Sequence, residues 1–518
     1  MRRTDSRDRQ GCAAGTQSPP RRKAEVPVTL TLPFDNSYAR LPDRFYAHVA
    51  PMKPPAPRLI RLNRPLAEQL GLDPDALASE AGLQILSGRE VAIGSQPIAL
   101  AYAGHQFGHF VPQLGDGRAI LLGEVVDRDG RRRDLQLKGA GRTPFSRGGD
   151  GRAALGPVLR EYVVSEAMAA LGVPTTRALA AVTTGDSVMR ELVLPGAVLT
   201  RVAASHIRVG TFQFFAARGD QDALRLLADH VIARHYPEAA EDPHPYRALL
   251  DGVIARQASL IARWLQVGFI HGVMNTDNMS IAGETIDYGP CAFLDAYDPE
   301  KVFSSIDQNG RYAFGNQPRI ALWNLVRLAE TLLELLDPDG ETAVKIAEAA
   351  LEAFGPQFEA AYQAGLRRKL GLSVERAGDA ELAGDLLTAM SANQVDFTLF
   401  FRRLAAAQAP DAGEPVCALF VDPTVADAWL GRWRQRLADD PQDPAARAAA
   451  MNRANPAYIP RNHRVEEVIR AAVDRDDFAP FERLLAVLAA PFEAREADAA
   501  FETPPTPDER VMATFCGT

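Results

Sequence analysis

The sequence is poor in cysteine and has no surplus of positive charge. Its 518 residues contain four cysteines, too few for the disulfide framework of a small secreted protein, so a reducing cytoplasm is the predicted compartment. The net charge of −9 argues against nucleic-acid binding, because neutralising phosphates requires a concentrated basic surface. No apolar run approaches the roughly 18 residues of a membrane-spanning helix. These absences leave an ordinary globular chain with room for a large core.

The N-terminal region carries little recognisable chemistry. Residues 1–26 are polar and Arg-rich with no hydrophobic period, which predicts disorder. The acidic residues Asp5, Asp8 and Glu25 argue against a transit peptide. Residues 27–95 contain Pro-punctuated segments and one predicted helix.

The most informative stretch is HGVMNTDNMSIAGETIDYG at 271–289. Kinase-like phosphotransferases use His-x-Asp-x-x-x-x-Asn followed by Asp-x-Gly. Asn278 and Asp287 fall at the two magnesium-ligand positions of that motif, and their oxygen donors suit a hard cation. Val273 stands where the catalytic Asp belongs. Asp277 is therefore the predicted replacement base, although a helix cap or a turn residue would look the same.

A second group of residues would suit phosphate binding. In QLGDGR, Gly115 and Gly117 allow close backbone approach and Arg118 can pair with a phosphate, but a tight turn needs the same glycines. Lys138 ends a predicted strand, as the phosphate lysine of a kinase does. Arg201 and Arg208 are spaced to reach one polyphosphate, unless they are ordinary surface arginines.

The pattern of elements predicts an α+β fold. Strands are predicted at 98–102, 119–126, 135–138, 178–182 and 197–202, with a helix at 155–171 between the third and fourth. That helix carries Glu161 and Glu166, either of which would pair with Lys138 or remain a solvated charge. Further helices are predicted at 221–235, 246–266, 317–336, 341–370, 380–407, 424–437, 462–475 and 477–489.

Long blocks of the chain resemble the selenoprotein O family of kinase-like enzymes. They are AYAGHQFGHFVPQLGDGRA, LQLKGAGRTPFSRGGDGRA, LTRVAASHIRVGTFQF, HGVMNTDNMSIAGETIDYGPCAFLD and the terminal CGT. The resemblance runs from about residue 30 to the C-terminus. It implies a bilobal protein-kinase-like fold that binds ATP in an inverted orientation and transfers AMP to protein hydroxyls. The implied units are a disordered tail (1–26), an N-terminal extension (27–95), a β-rich small lobe (96–210), a helical large lobe (211–400) and a helical C-terminal extension (401–518).

The resemblance also implies roles for individual residues. Asp277 matches the proton acceptor, Asn278 and Asp287 match the ligands of Mg²⁺ or Mn²⁺, and Glu161 matches the partner of the lysine. The implied nucleotide contacts are Gly115, Gly117, Arg118, Lys138, Asp150, Gly151, Arg201, Arg208 and Asp287. Family members use ATP, some also transfer UMP from UTP, and their acceptors are Ser, Thr or Tyr side chains of proteins.

Redox control is a further implication of the resemblance. Animal relatives carry selenocysteine near the C-terminus, where this chain has Cys516, and the family pairs that position with a cysteine of the activation segment, here Cys291. Two unpaired cytosolic thiols are the alternative.

For the activity, the alternatives are a kinase with a displaced base and an inactive pseudokinase scaffold that binds nucleotide. The predicted location is a bacterial cytoplasm, with mitochondria as the alternative, and neither nucleic acid nor membrane is expected as a partner.

Overall fold

The computed structural model of this protein describes residues 30–515, so the predicted disordered tail and Cys516 lie outside the described residues. The fold is α+β, as the sequence predicts. The strands are β1 Tyr46–His48, β2 Arg58–Leu62, β3 Ile98–Leu100, β4 Gly104–Gln106, β5 His109–Val111, β6 Ala119–Val126, β7 Arg132–Lys138, β8 Ala153–Ala154, β9 Arg177–Met189, β10 Val193–Ala203, β11 Phe269–Ile270 and β12 Ala292–Phe293.

Seventeen α-helices fill most of the remaining described chain. They are α1 Arg64–Gln69, α2 Pro74–Ala78, α3 Glu80–Leu86, α4 Leu155–Ala170, α5 Val209–Ala216, α6 Gln221–His235, α7 Pro245–Val267, α8 Gln317–Leu336, α9 Gly340–Leu351, α10 Phe354–Leu370, α11 Asp379–Ala392, α12 Phe397–Leu404, α13 Glu414–Cys417, α14 Pro423–Ala438, α15 Pro444–Ala454, α16 Asn462–Arg475 and α17 Ala479–Leu488. Between residues 30 and 515, no helix is both long and apolar enough to cross a membrane.

An eight-stranded sheet organises the first part of the described chain. Its strand order is β1-β3-β6-β7-β10-β9-β2, with β8 also pairing with β10, and its pairs are antiparallel. The central strand β6 (AILLGEVV) is buried at seven of its eight positions, which explains its almost continuous apolar sequence. The register places Lys138 at the end of β7 opposite Leu199, and Arg201 of β10 opposite Gln136. Two cationic side chains are thereby fixed on neighbouring strands.

Helix α4 packs against this sheet through an apolar face that includes Leu155, Leu159 and Val163. It ends at Ala170, and Gly172 follows with a φ of +77°, a left-handed conformation that glycine adopts without steric cost. Glu161 lies in the middle of the helix and is only 4% exposed. A buried carboxylate is therefore held against the end of β7.

Helix α7 leads into the motif that the sequence singled out. Gly268, with a φ of +75°, ends the helix, and β11 follows immediately. The antiparallel pairing of Phe269 with Phe293 and of Ile270 with Ala292 closes a loop over residues 271–291. The motif is consequently held at its base by a short two-stranded ribbon.

The predicted strands and most of the predicted helices are confirmed, but three helical predictions are wrong in detail. The segment 341–370 is two helices, because Pro356 has no N–H to donate and is tolerated only in the first turn of α10. The segment 380–407 is also two helices, since the Asp396 carboxylate accepts from the Leu399 N–H and starts α12 anew. Residues 30–95 form three short helices rather than one, together with β1 and β2 at the sheet edges.

Candidate functional site

Asp287 lies at the centre of a cluster of ion pairs. Its Oδ1 lies 2.8 Å from the Lys138 Nζ and 2.6 Å from an Arg201 nitrogen, and its Oδ2 lies 3.2 Å from an Arg208 nitrogen. Burial opposes ionisation of Asp287, but the three cations outweigh it and hold its pKa well below the ordinary value. Asp287 also has a φ of +64°, a left-handed conformation that is uncommon for non-glycine residues and recurs at functional sites.

Glu161 of α4 completes the acidic side of the cluster. It lies 2.6 Å from the Lys138 Nζ and 3.2 Å from an Arg201 nitrogen. The other candidate, Glu166, instead pairs with Arg177 at 2.7 Å. The structure thus distinguishes the two glutamates that the sequence left open.

The two arginines are fixed by further contacts. Arg201 donates to the Gln136 Oε1 at 2.6 Å, and Arg208 lies 3.4 Å from Asp116. The Arg208 guanidinium also lies 4.4 Å from the ring centroid of Tyr102. Both arginine side chains are only 2% exposed, so they are buried groups and not surface arginines.

The loop after β11 is fastened by His271, which is completely buried. Its Nε2–H donates to the Ile286 carbonyl at 2.9 Å and its Nδ1 accepts from the Val273 N–H. Burial lowers the pKa of the imidazole, so this neutral tautomer is the form the contacts require. His271 therefore ties the 271–278 loop to the residue preceding Asp287.

Asp277 is 8% exposed and lies under the β4–β5 hairpin. A Cβ added to Gly104 would lie 2.6 Å from the Asp277 Oδ1, so the backbone approaches the carboxylate closely. Gln106 donates to the Oδ2 at 3.3 Å, whereas the Oδ1 is buried and has no hydrogen-bond partner among the described residues. Burial raises the pKa of Asp277 to about 6, and the hydrogen bonds from its own backbone N–H and from Gln106, with the Arg208 charge, offset only part of that effect. The result is a carboxylate that is ionised at neutral pH and has one unsatisfied oxygen.

The remaining predicted nucleotide contacts lie on two loops. Gly115 and Gly117 flank Asp116, which contacts Arg208, so their loop reaches the ion-pair cluster. A Cβ at Gly115 would lie 2.3 Å from the Phe145 ring and one at Gly117 would lie 2.9 Å from the Phe145 carbonyl. Close packing of two loops on each other thus already requires both glycines.

Arg118 directly precedes β6, and Asp150 and Gly151 lie on the loop between β7 and β8. Arg118 shares the lining of a small cavity with Lys138 and Glu161. A Cβ at Gly151 would lie 2.1 Å from the Gly141 carbonyl. Asp150 pairs with Arg190 at 2.9 Å, and this hydrogen bond holds the pKa of Asp150 below its ordinary value.

The fit of a divalent metal rests on Asn278 and Asp287. Across the described part of the chain, no three His, Cys, Asp or Glu side chains group closely enough to hold a metal ion by themselves. The Asn278 Nδ2 donates to the Val273 carbonyl at 2.9 Å. This hydrogen bond orients the amide and leaves its Oδ1 available as a metal ligand. One amide oxygen and one carboxylate fit Mg²⁺, which protein sites hold with few ligands when phosphates and water supply the rest.

Several residues of the site were missed by sequence reasoning. Asp116 is the middle residue of GDG, and its carboxylate accepts from the Leu100 N–H at 3.2 Å and from the Gln136 amide at 3.1 Å. Gln136 stands two residues before Lys138, so the period of two along a strand could have placed it on the same face. Tyr102 had no comparable signal.

Comparison with known proteins establishes the family. The model of the family described as "Protein adenylyltransferase SelO" matches residues 28–489, and the chain belongs to this family of nucleotidyltransferases. The relatives include proteins named "Protein nucleotidyltransferase YdiU" from Bradyrhizobium and Methylorubrum populi. Each is 68% identical to this chain, over 491 and 498 residues respectively, and each match covers 95% of this chain and 100% of the relative. The prediction of a nucleotidyltransferase of the selenoprotein O family is confirmed.

Proposed function

We propose that this enzyme transfers AMP from ATP to Ser, Thr or Tyr hydroxyls of proteins, with Asp277 as the proton acceptor. The observation that carries the proposal is Asp277 itself. Burial raises its pKa to about 6, and its buried Oδ1 has no hydrogen-bond partner among residues 30–515. A general base works best with a pKa near the working pH and with a free lone pair for the proton it takes.

Lys138, Arg201 and Arg208 are the proposed phosphate ligands. The three cations face three carboxylates, those of Glu161, Asp287 and Asp116. On an inverted nucleotide they would bind the β- and γ-phosphates. The acceptor oxygen attacks the α-phosphorus, the bond from that phosphorus to the bridging oxygen of the β-phosphate breaks, and pyrophosphate leaves. Positive charge fixed beside the leaving pyrophosphate is the main electrostatic help such a reaction requires.

The nucleotide would be enclosed by the two glycine-containing loops. We assign contacts to Gly115, Gly117 and Arg118 because their loop reaches the cluster through Asp116. Asp150 and Gly151 are assigned to the outer part of the site, with Arg190 holding the Asp150 carboxylate ionised.

Asn278 and Asp287 would hold Mg²⁺ or Mn²⁺, which would neutralise phosphate charge and polarise the phosphoryl oxygens. Asp287 is kept ionised by its cationic partners, so it is ready to ligate at any physiological pH. The Asn278 amide is oriented before binding by the Val273 carbonyl.

The arrangement also supports a bilobal protein-kinase-like fold. In such a fold a strand lysine pairs with a helix glutamate, as Lys138 does with Glu161 of α4. We therefore propose residues 96–210 as the small lobe and 211–400 as the large lobe, flanked by extensions at 27–95 and 401–518.

The test uses purified enzyme, Mg²⁺ and a generic acceptor protein, with ATP labelled on the α-phosphate in one reaction and on the γ-phosphate in another. Acid-stable protein label from the α position alone is expected. Label from the γ position alone would identify a kinase with a displaced base and overturn the proposal. Absence of protein label from both would favour an inactive scaffold, and parallel reactions with α-labelled UTP decide between AMP and UMP.

A further inference from the structure

A groove of about 810 Å³ opens beside the Asp277 loop. One wall is the tip of the β4–β5 hairpin, with Phe107 and His109. The other is formed by the segment before α8 and by the first turns of that helix, with Arg311, Arg319 and Trp323. No role in nucleotide binding or proton transfer has been assigned to any of these residues.

Both walls of the groove are hydrogen-bonded to one residue of the Asp277 loop. The Phe107 N–H donates to the Asn275 Oδ1 at 3.0 Å, and the Tyr312 hydroxyl donates to the same oxygen at 2.6 Å. The Phe107 and Tyr312 rings are 5.2 Å apart. Gln106, adjacent to Phe107, donates to Asp277 itself. A polypeptide in this groove would therefore lie against the residues that hold the loop of Asp277, the proposed proton acceptor.

The charge of the groove is positive although the whole chain carries −9. Its only lining carboxylate, that of Asp307, accepts from the backbone N–H groups of Arg311 and Tyr312 at 2.9 and 2.8 Å. Neither Arg311 nor Arg319 forms an ion pair with any carboxylate of residues 30–515. Two guanidinium groups are thus left without an acidic partner among residues 30–515.

Arg311 is also held in place without an anion. Its guanidinium lies 4.7 Å from the centroid of the Trp323 ring, and its Nε is buried with no hydrogen-bond partner in the described part of the chain. A guanidinium stacked on an aromatic ring loses little conformational freedom when it then binds a carboxylate. Arg319 is exposed on the first turn of α8 and can follow a mobile ligand.

We propose that this groove binds the acceptor protein and selects hydroxyls that lie a few residues from Asp or Glu, with Arg311 and Arg319 as the carboxylate ligands. The inference rests on the proposed AMP transfer, in which the acceptor hydroxyl is delivered to Asp277. Complementary charge raises the encounter rate and fixes the orientation of the segment.

The experiment uses two acceptors on one carrier protein. Each carries the same unstructured segment with Ser, Thr and Tyr, flanked by Glu in one acceptor and by Lys in the other. The wild-type enzyme is expected to prefer the Glu acceptor. In Arg319→Glu, the KM for the Glu acceptor should rise by roughly five- to tenfold, as expected for loss of an exposed ion pair plus repulsion. The KM for ATP should stay unchanged, and the Lys acceptor should improve.

Two further variants sharpen the result. Arg311→Gln should raise the same KM without favouring the Lys acceptor, because it removes a charge and adds none. Arg453→Glu is the matched control, since Arg453 is exposed on α15, far along the chain, and forms no ion pair with the described residues. Equal use of both acceptors, or an Arg319→Glu enzyme that behaves like the control, would overturn the inference and leave AMP transfer standing. Absence of transfer to any protein, including the generic acceptor, would overturn the proposed function and the docking site with it.

Discussion

The rate of AMP transfer should depend on the ionisation of Asp277. Burial raises the pKa of this carboxyl from 3.8 to about 6, and only the ionised form accepts a proton. The rate should therefore be nearly constant above pH 7 and fall about tenfold per pH unit well below pH 6. Asp277→Asn keeps the shape of the side chain but removes the base, and general-base help is typically worth about 10² to 10⁴ in rate.

The same substitution has an opposite effect on stability. The pKa of Asp277 in the folded state lies above its unfolded value, so the folded state holds the proton more tightly and stability falls as pH rises from about 4 to about 6. A difference of about two pKa units corresponds to about 3 kcal/mol that the ionised group costs the folded state above pH 6. Asp277→Asn escapes this loss because its amide does not ionise. The wild type should therefore lose about 2 to 3 kcal/mol relative to the variant between pH 4 and pH 7.

The assays are initial rates of label transfer from α-labelled ATP between pH 5 and 8, and urea unfolding over pH 4 to 7. ATP itself titrates in this range, so its affinity for the enzyme is measured in parallel at each pH. Asp474→Asn serves as the control because Asp474 is exposed on α16. Unchanged turnover in Asp277→Asn, or a wild-type rate that stays level down to pH 5, would refute the role of Asp277. A pH-independent stability difference would refute its raised pKa.

Three further predictions concern the ion-pair cluster and the C-terminal cysteine. Arg208→Gln leaves the Asp287 Oδ2 without its arginine and should cost about 3 kcal/mol in urea unfolding; a loss below about 1 kcal/mol would contradict the ion-pair geometry. Asp287→Asn removes the counter-ion of three cations, so the variant should bind ATP more tightly than the wild type when calorimetry is done in EDTA. In Mg²⁺ the same variant should transfer no AMP. Weaker ATP binding in EDTA would count against the proposed phosphate ligands. Oxidation should form a disulfide between Cys291 and Cys516. Peptide mapping without reductant is expected to recover this disulfide both in the wild type and in the control variant Cys417→Ser. Recovery of Cys291 and Cys516 as free thiols after oxidation would exclude the disulfide.

The bridge remains a prediction, but the chain just before Cys516 bears on it. Thr514 donates its hydroxyl to the Pro290 carbonyl at 2.6 Å, and its N–H donates to the Phe303 carbonyl. The last described segment of the chain is therefore hydrogen-bonded next to Cys291, which is only 4% exposed. A disulfide between Cys291 and Cys516 would restrain the segment that follows Asp287.

Motif spacing singled out several of the residues that the structure brings together in the cluster. Lys138 at a strand end and Asp287 in Asp-x-Gly could be assigned from local sequence, because each lies in a short segment whose conformation is set locally. Local sequence alone left Glu161 and Glu166 open, and only the family resemblance pointed to Glu161, since both lie on one helix whose rotation against β7 decides which one meets the lysine.

The groups that bury Asp277 and raise its pKa could not be predicted from the sequence for a similar reason. Gly104 and Gln106 are more than 170 residues away along the chain, and neither belongs to a motif that points to a carboxylate. The raised pKa of Asp277 depends on how completely this hairpin excludes water. Burial of that kind arises from tertiary packing and leaves no local pattern.

The charge balance of the cluster explains why so many ionised groups are kept inside this protein. Buried ion pairs contribute little net stability, because desolvation offsets most of their attraction. On the proposed function, the carboxylate of Asp287 stands in for the phosphates while the site waits for nucleotide: it keeps Lys138, Arg201 and Arg208 charged and positioned. In the nucleotide complex the three cations would bind phosphate oxygens and Asp287 would hold the metal, so each group would exchange one charged partner for another. Carboxylate and cations are thus placed before the reaction begins, and little reorganisation remains to be done in the transition state.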